Sequence, residues 1–148
     1  MNAELPYWAY GSNVDPVRFG DRCPGHVELR VAGLDGWREA FAGASRMWGA
    51  GVGTLREHNG GRVRGVLYQL EPEHWNTLDR IEGHPHFYRR TLIEVEGTRA
   101  WTYLLPADLP LNPPTEDYLV AVCQGRTARG WDPSVWMAAA RRAAGKLA

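Results

Sequence analysis

Two short stretches carry the groups that can do chemistry in this chain: Tyr7-Trp8-Ala9-Tyr10-Gly11-Ser12-Asn13 and Leu78-Asp79-Arg80-Ile81-Glu82-Gly83. In the first, an aromatic run with the character of a buried strand stops in Gly-Ser-Asn. Gly lets the backbone bend where other residues clash, and Ser and Asn side chains bond to nearby main chain. A turn of this composition can leave several N–H groups pointing outward, a nest for a carboxylate or another anion. On its own, Gly-Ser-Asn reads as a plain turn after a strand; the second stretch is what gives it a partner. There, Glu82 ends an amphipathic pattern, directly after Ile81 and before Gly83. A carboxylate at a helix C-terminus faces the negative end of the helix dipole. Partial burial would add a desolvation cost to its charged form. Both effects raise its pKa towards the range useful for general acid–base work near neutral pH. The competing reading is a solvated Glu at a helix end.

Other chemistries find less support. Ser12 as a nucleophile would need a base, and no Ser-His-Asp order is recognisable from the spacing. His84-Pro85-His86 offers two histidines in one turn without a third and fourth metal ligand, which favours loop histidines. Cys23 and Cys123 lie in different segments and form no C-x-x-C pair, so they read as reduced thiols with at least one buried. Cys123, among Leu119, Val120 and Val122, reads as core. Tyr10-Gly11-Ser12-Asn13 lacks the length and the Lys of a phosphate-binding loop.

The elements that must position these residues follow from pattern and punctuation. Tyr7 to Tyr10 reads as the first strand. Asp15-Pro16 opens a short helix towards Asp21, ended by Cys23-Pro24-Gly25. Strands are expected at 26–32 and 37–41, separated by a turn at Asp35-Gly36. The Gly- and Ala-rich passage 42–54, with Arg46 and Trp48, reads as a loop with a short strand at 52–55. Asn59-Gly60-Gly61 is a hairpin signal, followed by an alternating strand over 63–70. Pro72 to Ile81 is a helix with an apolar stripe at Trp75, Leu78 and Ile81, stopped by Gly83. Two antiparallel strands, 88–95 and 98–105, flank a turn at Glu96-Gly97. After Pro106, Pro110, Pro113 and Pro114 come two helices, over 115–128 and from Asp132 to Lys146. Strands with antiparallel hairpins and flanking helices predict an α+β fold: a small mixed β-barrel or curved sheet flanked by helices.

Composition narrows the function classes. The 148 residues suit a single domain, 1–148, with a real core. With 44% hydrophobic and 23% charged residues, the chain has the profile of a globular protein rather than a disordered one. The formal net charge is zero, which argues against a nucleic-acid partner. No apolar run is long enough to span a bilayer, and Met1-Asn2-Ala3-Glu4 has no basic or apolar targeting character, so a cytoplasmic location is expected. Seven Trp and six Tyr can fill a core, and large aromatics also line pockets for small polar ligands with an apolar body. Oligomeric state is left open by the sequence; Trp131 and Trp136 read as helix-core residues.

Taken together, Tyr10-Gly11-Ser12-Asn13 after an aromatic strand, then Gly65-Val66-Leu67-Tyr68, then Leu78-Asp79-Arg80-Ile81-Glu82-Gly83, then Tyr88 opening a strand, resembles the γ-glutamyl cyclotransferase family, which includes the γ-glutamylamine cyclotransferases and AIG2-like proteins. The match runs from Tyr7 to about Gly125. The resemblance implies the family's mixed barrel flanked by helices. It implies that Tyr10, Gly11, Ser12, Asn13 and Val14 bind the substrate's α-carboxylate and reacting carbonyl, and that Glu82 matches the catalytic glutamate. Tyr88 matches an aromatic position beside that glutamate, and Tyr118 a tyrosine that closes the pocket. It implies release of 5-oxoproline from a small-molecule γ-glutamyl substrate, an acyl transfer with cyclisation that needs no metal or organic cofactor. The passage 42–53 is where substrate preference is expected to be written. The alternative is a non-catalytic module on the same fold that binds a carboxylate-bearing metabolite.

Overall fold

The computed structural model describes residues 5–146. The reading of Met1–Glu4 as free of a targeting segment lies outside the described residues. Nine elements follow one another: β1 (Tyr7–Ala9), α1 (Pro16–Arg22), β2 (Val27–Ala42), β3 (Val52–Gln69), α2 (Pro72–Glu82), β4 (Arg89–Val95), β5 (Thr98–Leu104), α3 (Glu116–Ala128) and α4 (Ser134–Ala143). A 3-10 turn at Ser12–Val14 joins β1 to α1.

The α+β class expected from the pattern is what the chain adopts, as one five-stranded sheet in the order β2-β3-β1-β5-β4. The strands do not close into a barrel by backbone pairing. β1 is antiparallel to β3 and parallel to β5, and β2 and β4 are the edges. Side chains draw the edges together instead. Glu96, in the β4–β5 turn, accepts from Gly33 N on β2 at 2.5 Å, while Arg30 on β2 donates to Thr98 Oγ1 at 2.8 Å. Arg62 on β3 pairs with the same Glu96 at 3.0 Å. The turn itself has positive φ at Glu96 and Gly97, the conformation that matches the twist of a tight hairpin.

Two expectations about the first hairpin are corrected. Segments 26–32 and 37–41 are one bent strand, and Asn59-Gly60-Gly61 does not reverse the chain. Pairing of β2 with β3 runs to Asp35↔Arg62 and resumes at Trp37↔Glu57, so residues 58–61 stand opposite Gly36 alone. Gly36 (φ 86°) and Gly60 (φ 83°) supply the left-handed conformations of a large bulge, and the ladder continues on both sides of it. The reversal falls in residues 43–51, the passage read as a loop.

The helices form for the reasons their ends display. Asp15 caps α1 by accepting from Val17 N and Arg18 N. Thr115 caps α3 through Tyr118 N. Asp132 accepts from Ser134 N and Oγ ahead of α4. In α2, Glu71 and His74 form a reciprocal capping box, and Gly83 ends the helix at φ 72°. One buried cluster spans the sheet and the helices, with Trp8, Phe19, Phe41, Tyr68, Leu78, Val122 and Trp136 fully enclosed. Of the two thiols, Cys23 is buried and Cys123 partly exposed, both free. No helix among the described residues is long and apolar enough to cross a membrane.

Candidate active site

The strand β1, the 3-10 turn after it and the C-terminal end of α2 meet at an open cavity of about 50 Å³. Its lining is Tyr7, Tyr10, Gly11, Ser12, Asn13, Gly53, Glu82, Tyr88, Tyr103 and Tyr118. Seven of the eight residues singled out from the sequence therefore come together. Val14 does not. It is fully buried, and its N–H closes the 3-10 turn onto Gly11 O at 3.1 Å. A residue in the third position of such a turn points into the core against α3, so Val14 supports the loop rather than lining the cavity.

The loop has the donor arrangement that its composition suggested. Bonding within the turn starts with Val14 N to Gly11 O and Asp15 N to Ser12 O. The N–H groups of Ser12 and Asn13 precede that ring and have no partner within the turn. The Asn13 side chain is fixed structurally: it is buried, its Nδ2 donates to Tyr7 OH at 3.1 Å, and its Oδ1 accepts from Arg22 Nη1 at 2.9 Å.

Glu82 reaches the cavity because α2 stops where it does. Gly83 turns the chain back, His84 N donates to Asp79 O, and Tyr88 N donates to Glu82 O at 3.2 Å. Glu82 is half-buried, and no described residue donates to its carboxylate. Burial, only partly offset by Arg22 and Arg18, pushes its pKa up to about 7. The carboxyl is thus poised to exist in both protonation states near neutrality.

The tyrosines around it stay neutral. Burial, reinforced by the nearby Glu82 charge, raises the hydroxyl pKa values of Tyr7, Tyr10 and Tyr88, and burial pushes Tyr118 up to about 12. They can donate hydrogen bonds but cannot act as bases at neutral pH. Three of the cavity's five phenol hydroxyls are already committed. Tyr10 donates to Tyr103 O (2.6 Å), Tyr88 to Gly53 O (2.5 Å) and Tyr103 to Asp79 Oδ1 (2.6 Å). Tyr7 accepts from Asn13 and Tyr118 accepts from Gly53 N at 3.0 Å, so each retains its own proton to give. Gly53 anchors both Tyr88 and Tyr118 through its backbone. A Cβ there would sit 3.2 Å from Tyr118 OH and 3.2 Å from the Trp136 ring, so any side chain would press on both.

Sequence reasoning did not single out Tyr7 or Tyr103 as site residues and reached Gly53 only as the end of the passage 42–53. It missed Arg18 and Arg22, which border a second lobe that shares Glu82 with the first; Ser45, Met47 and Trp48 of that lobe fall in the passage 42–53, where substrate preference was expected. Arg18 and Arg22 had a legible signal: four residues apart behind a clear N-cap, they share a helix face. Tyr103 had none beyond alternation in β5. Among the described residues, no group of three His, Cys, Asp or Glu is placed to hold a metal ion. A carboxyl titrating near 7, free phenol protons and unpaired backbone N–H groups together can move a proton and receive an oxyanion in one small space.

Comparison with known proteins gives the chain's relatives. The gamma-glutamylcyclotransferase of Homo sapiens is 29% identical, covering 84% of this chain and 71% of its own length. A solved structure described as gamma-glutamyl cyclotransferase superposes with a TM-score of 0.77 at 24% identity, over 90% of this chain and 84% of that one. An uncharacterized protein from Homo sapiens superposes with a TM-score of 0.75 at 28% identity, over 85% and 80%. A family model for "Gamma-glutamyl cyclotransferase, AIG2-like" matches residues 7–120, which contain every residue lining the cavity, and the chain belongs to that family.

Proposed function

We propose that the chain, acting as one domain, is a γ-glutamyl cyclotransferase that converts a γ-glutamyl conjugate into 5-oxoproline and a free amine or amino acid. The observation that carries the reading is Glu82: a carboxyl without a hydrogen-bond donor among the described residues, its pKa pushed up to about 7, facing a cavity lined by neutral phenols. The cavity contains no Cys or His, and Ser12 has no base beside it other than Glu82 itself.

The substrate brings its own nucleophile. Its α-amine attacks the γ-carbonyl, a new C–N bond closes a five-membered ring, and the original amide C–N bond then breaks. Glu82 as carboxylate takes a proton from the α-ammonium group; as carboxylic acid it returns one to the departing nitrogen. No water is consumed and the proton count balances over the cycle. The protein's tasks are to fold the substrate and to stabilise charge. Well-oriented intramolecular reactions recover on the order of 7–11 kcal/mol of barrier. The N–H groups of Ser12 and Asn13 and the free Tyr118 proton are the donors for the α-carboxylate and the tetrahedral oxyanion. Removing one such donor typically costs about 100- to 1,000-fold in kcat.

The test is mass-spectrometric detection of 5-oxoproline from a panel of γ-glutamyl amino acids, peptides and amines, with Glu82→Gln as control. Product from the wild type and not from the variant supports the reaction and the acid–base residue. A wild type that binds conjugates without turning any over moves the protein to a metabolite-binding role.

A further inference from the structure

A second cavity, of about 100 Å³, opens from the first and shares Ser12, Glu82, Tyr88 and Tyr118 with it. Its character is different. Arg18 and Arg22 enter from α1, Trp48 and Met47 from the β2–β3 connection, and Glu82 is the only carboxylate in its lining. Arg22 is engaged with Asn13 Oδ1. Arg18 is not engaged: its Nε is buried without a hydrogen-bond partner, and among the described residues its side chain has neither an acceptor nor an ion-pair partner. Other cations near the core are held, Arg90 by Asp79, Arg129 by Glu28 and Arg126 by Asp132 O.

We propose that Arg18 selects the leaving group: it receives a carboxylate carried by the departing amine, so the preferred substrates are γ-glutamyl conjugates of amino acids or peptides with an apolar side chain. This rests on the cyclotransferase reading above. In that reading the glutamyl part occupies the tyrosine-lined cavity, and the departing nitrogen must face Glu82. Whatever that nitrogen carries extends past Glu82 into the second cavity. There a carboxylate meets a partly buried guanidinium whose planar fork is suited to two parallel hydrogen bonds. Trp48 and Met47 supply apolar cover for a side chain. A leaving group bearing an extra ammonium would instead face two cations, an arrangement that disfavours it. Burial and the neighbouring Arg22 lower the pKa of Arg18, which reflects the cost of holding this cation without a hydrogen-bonded anion.

A matched pair of conjugates isolates the carboxylate: γ-glutamyl-phenylalanine and γ-glutamyl-phenethylamine share the ring and differ in that group alone. The wild type is expected to favour the phenylalanine conjugate in kcat/KM by roughly ten- to a hundred-fold, the range of a hydrogen bond to a charged group. Arg18→Met collapses the ratio towards one, and Arg18→Lys, which keeps the charge but not the fork, retains part of it. A ratio near one in the wild type, or an equal loss for both conjugates in Arg18→Met, overturns the proposal; the latter would place Arg18 on the glutamyl half. The same pair is measured by calorimetric binding to Glu82→Gln and to its Arg18→Met derivative. If no conjugate is turned over but binding discriminates and Arg18→Met abolishes the discrimination, the subsite stands and the cyclotransferase reading falls. Absence of discrimination in both rates and binding overturns the subsite.

Discussion

Asp79 and Glu82 sit three residues apart on the same helix, and the protein treats them oppositely. Burial works to raise the pKa of Asp79 too, but Arg90 and Tyr103 outweigh it: Arg90 donates two hydrogen bonds (3.2 and 2.5 Å), Tyr103 a third (2.6 Å), and the pKa ends below its usual value. Glu82 is the more deeply desolvated of the two, Arg22 and Arg18 act on it only at a distance, and its pKa climbs to about 7. The difference is one of depth and of partners, although both belong to one amphipathic turn. A carboxylate given charged and phenolic donors becomes part of the scaffold; one left without donors beside a cavity is free to exchange protons.

The hardest blow to this contrast is Glu82→Gln. Turnover is expected to fall by about 100- to 10,000-fold in kcat, with substrate affinity largely kept, because general acid–base catalysis is lost and the shape is not. Its effect on stability has a distinctive sign. Glu82 has a native pKa above its unfolded value, so the native state binds the extra proton between about pH 4.5 and 7. Wild-type stability therefore declines as pH rises through that window, by on the order of 3 kcal/mol. Gln cannot ionise and escapes the decline, so thermal melts should show the variant gaining on the wild type between pH 5 and 7.5. A parallel pair of pH curves would mean that Glu82 is not desolvated.

Asp79→Asn should fail the other way. It removes the anion from a partly buried pair and leaves Arg90 without its counter-charge, a loss of about 1–3 kcal/mol at neutral pH. Here the native pKa is depressed, so the stabilisation is present above the unfolded value and disappears as pH falls through the native one. Chemical denaturation should find the gap between wild type and Asp79→Asn closing in acid. Turnover should drop far less than in Glu82→Gln. If Asp79→Asn abolished turnover in a fully folded protein, the division of labour between the two carboxylates would be wrong.

Arg22→Gln offers a finer adjustment. Arg22 is the stronger of the two charges holding the Glu82 pKa down. Without it the acidic limb of the kcat/KM profile should move to higher pH, by less than about one unit because the charge acts at a distance across a partly solvated cavity. A limb that stays in place would assign it to another group.

How much of this was legible beforehand follows the same physics. Glu82 could be found because helix periodicity and a stop glycine are local signals, and the Gly11-Ser12-Asn13 turn because its residue types are those of a turn. The pairing that separates Asp79 from Glu82 was invisible, since Arg90 and Tyr103 reach Asp79 from β4 and β5, across sequence distances that no local pattern spans. Tyr7 and Tyr103 alternate inward like any core aromatic, and nothing in a strand pattern distinguishes a ring facing a cavity from a ring facing a neighbour. The continuity of β2 was lost for a related reason. Asp35-Gly36 and Asn59-Gly60-Gly61 have turn composition, and only the tertiary ladder determines that such glycines absorb a bulge instead of reversing the chain. Val14 was carried into the site by its neighbours, although its aliphatic side chain alone predicted the buried position it occupies.

The smallest effect tests how sharply Asp79 depends on its partners. Tyr103→Phe deletes a single hydroxyl, the one that donates to Asp79 Oδ1, while the ring keeps its edge contacts with Tyr7. Arg90 still holds the carboxylate with two bonds, so Asp79 stays ionised, but its pKa rises part of the way towards normal. The expected cost is about 1 kcal/mol, the net worth of one hydrogen bond. The acid-side loss of stability should begin at a higher pH than in the wild type, because one of the interactions holding the pKa down is gone. Since Tyr103 also lines the cavity, kcat/KM should fall modestly, by about two- to fivefold, without any movement of the limb set by Glu82. That last clause is the discriminating one. If removing a donor from Asp79 shifts the limb near neutral pH, the two carboxylates titrate as a coupled pair and not as scaffold and catalyst.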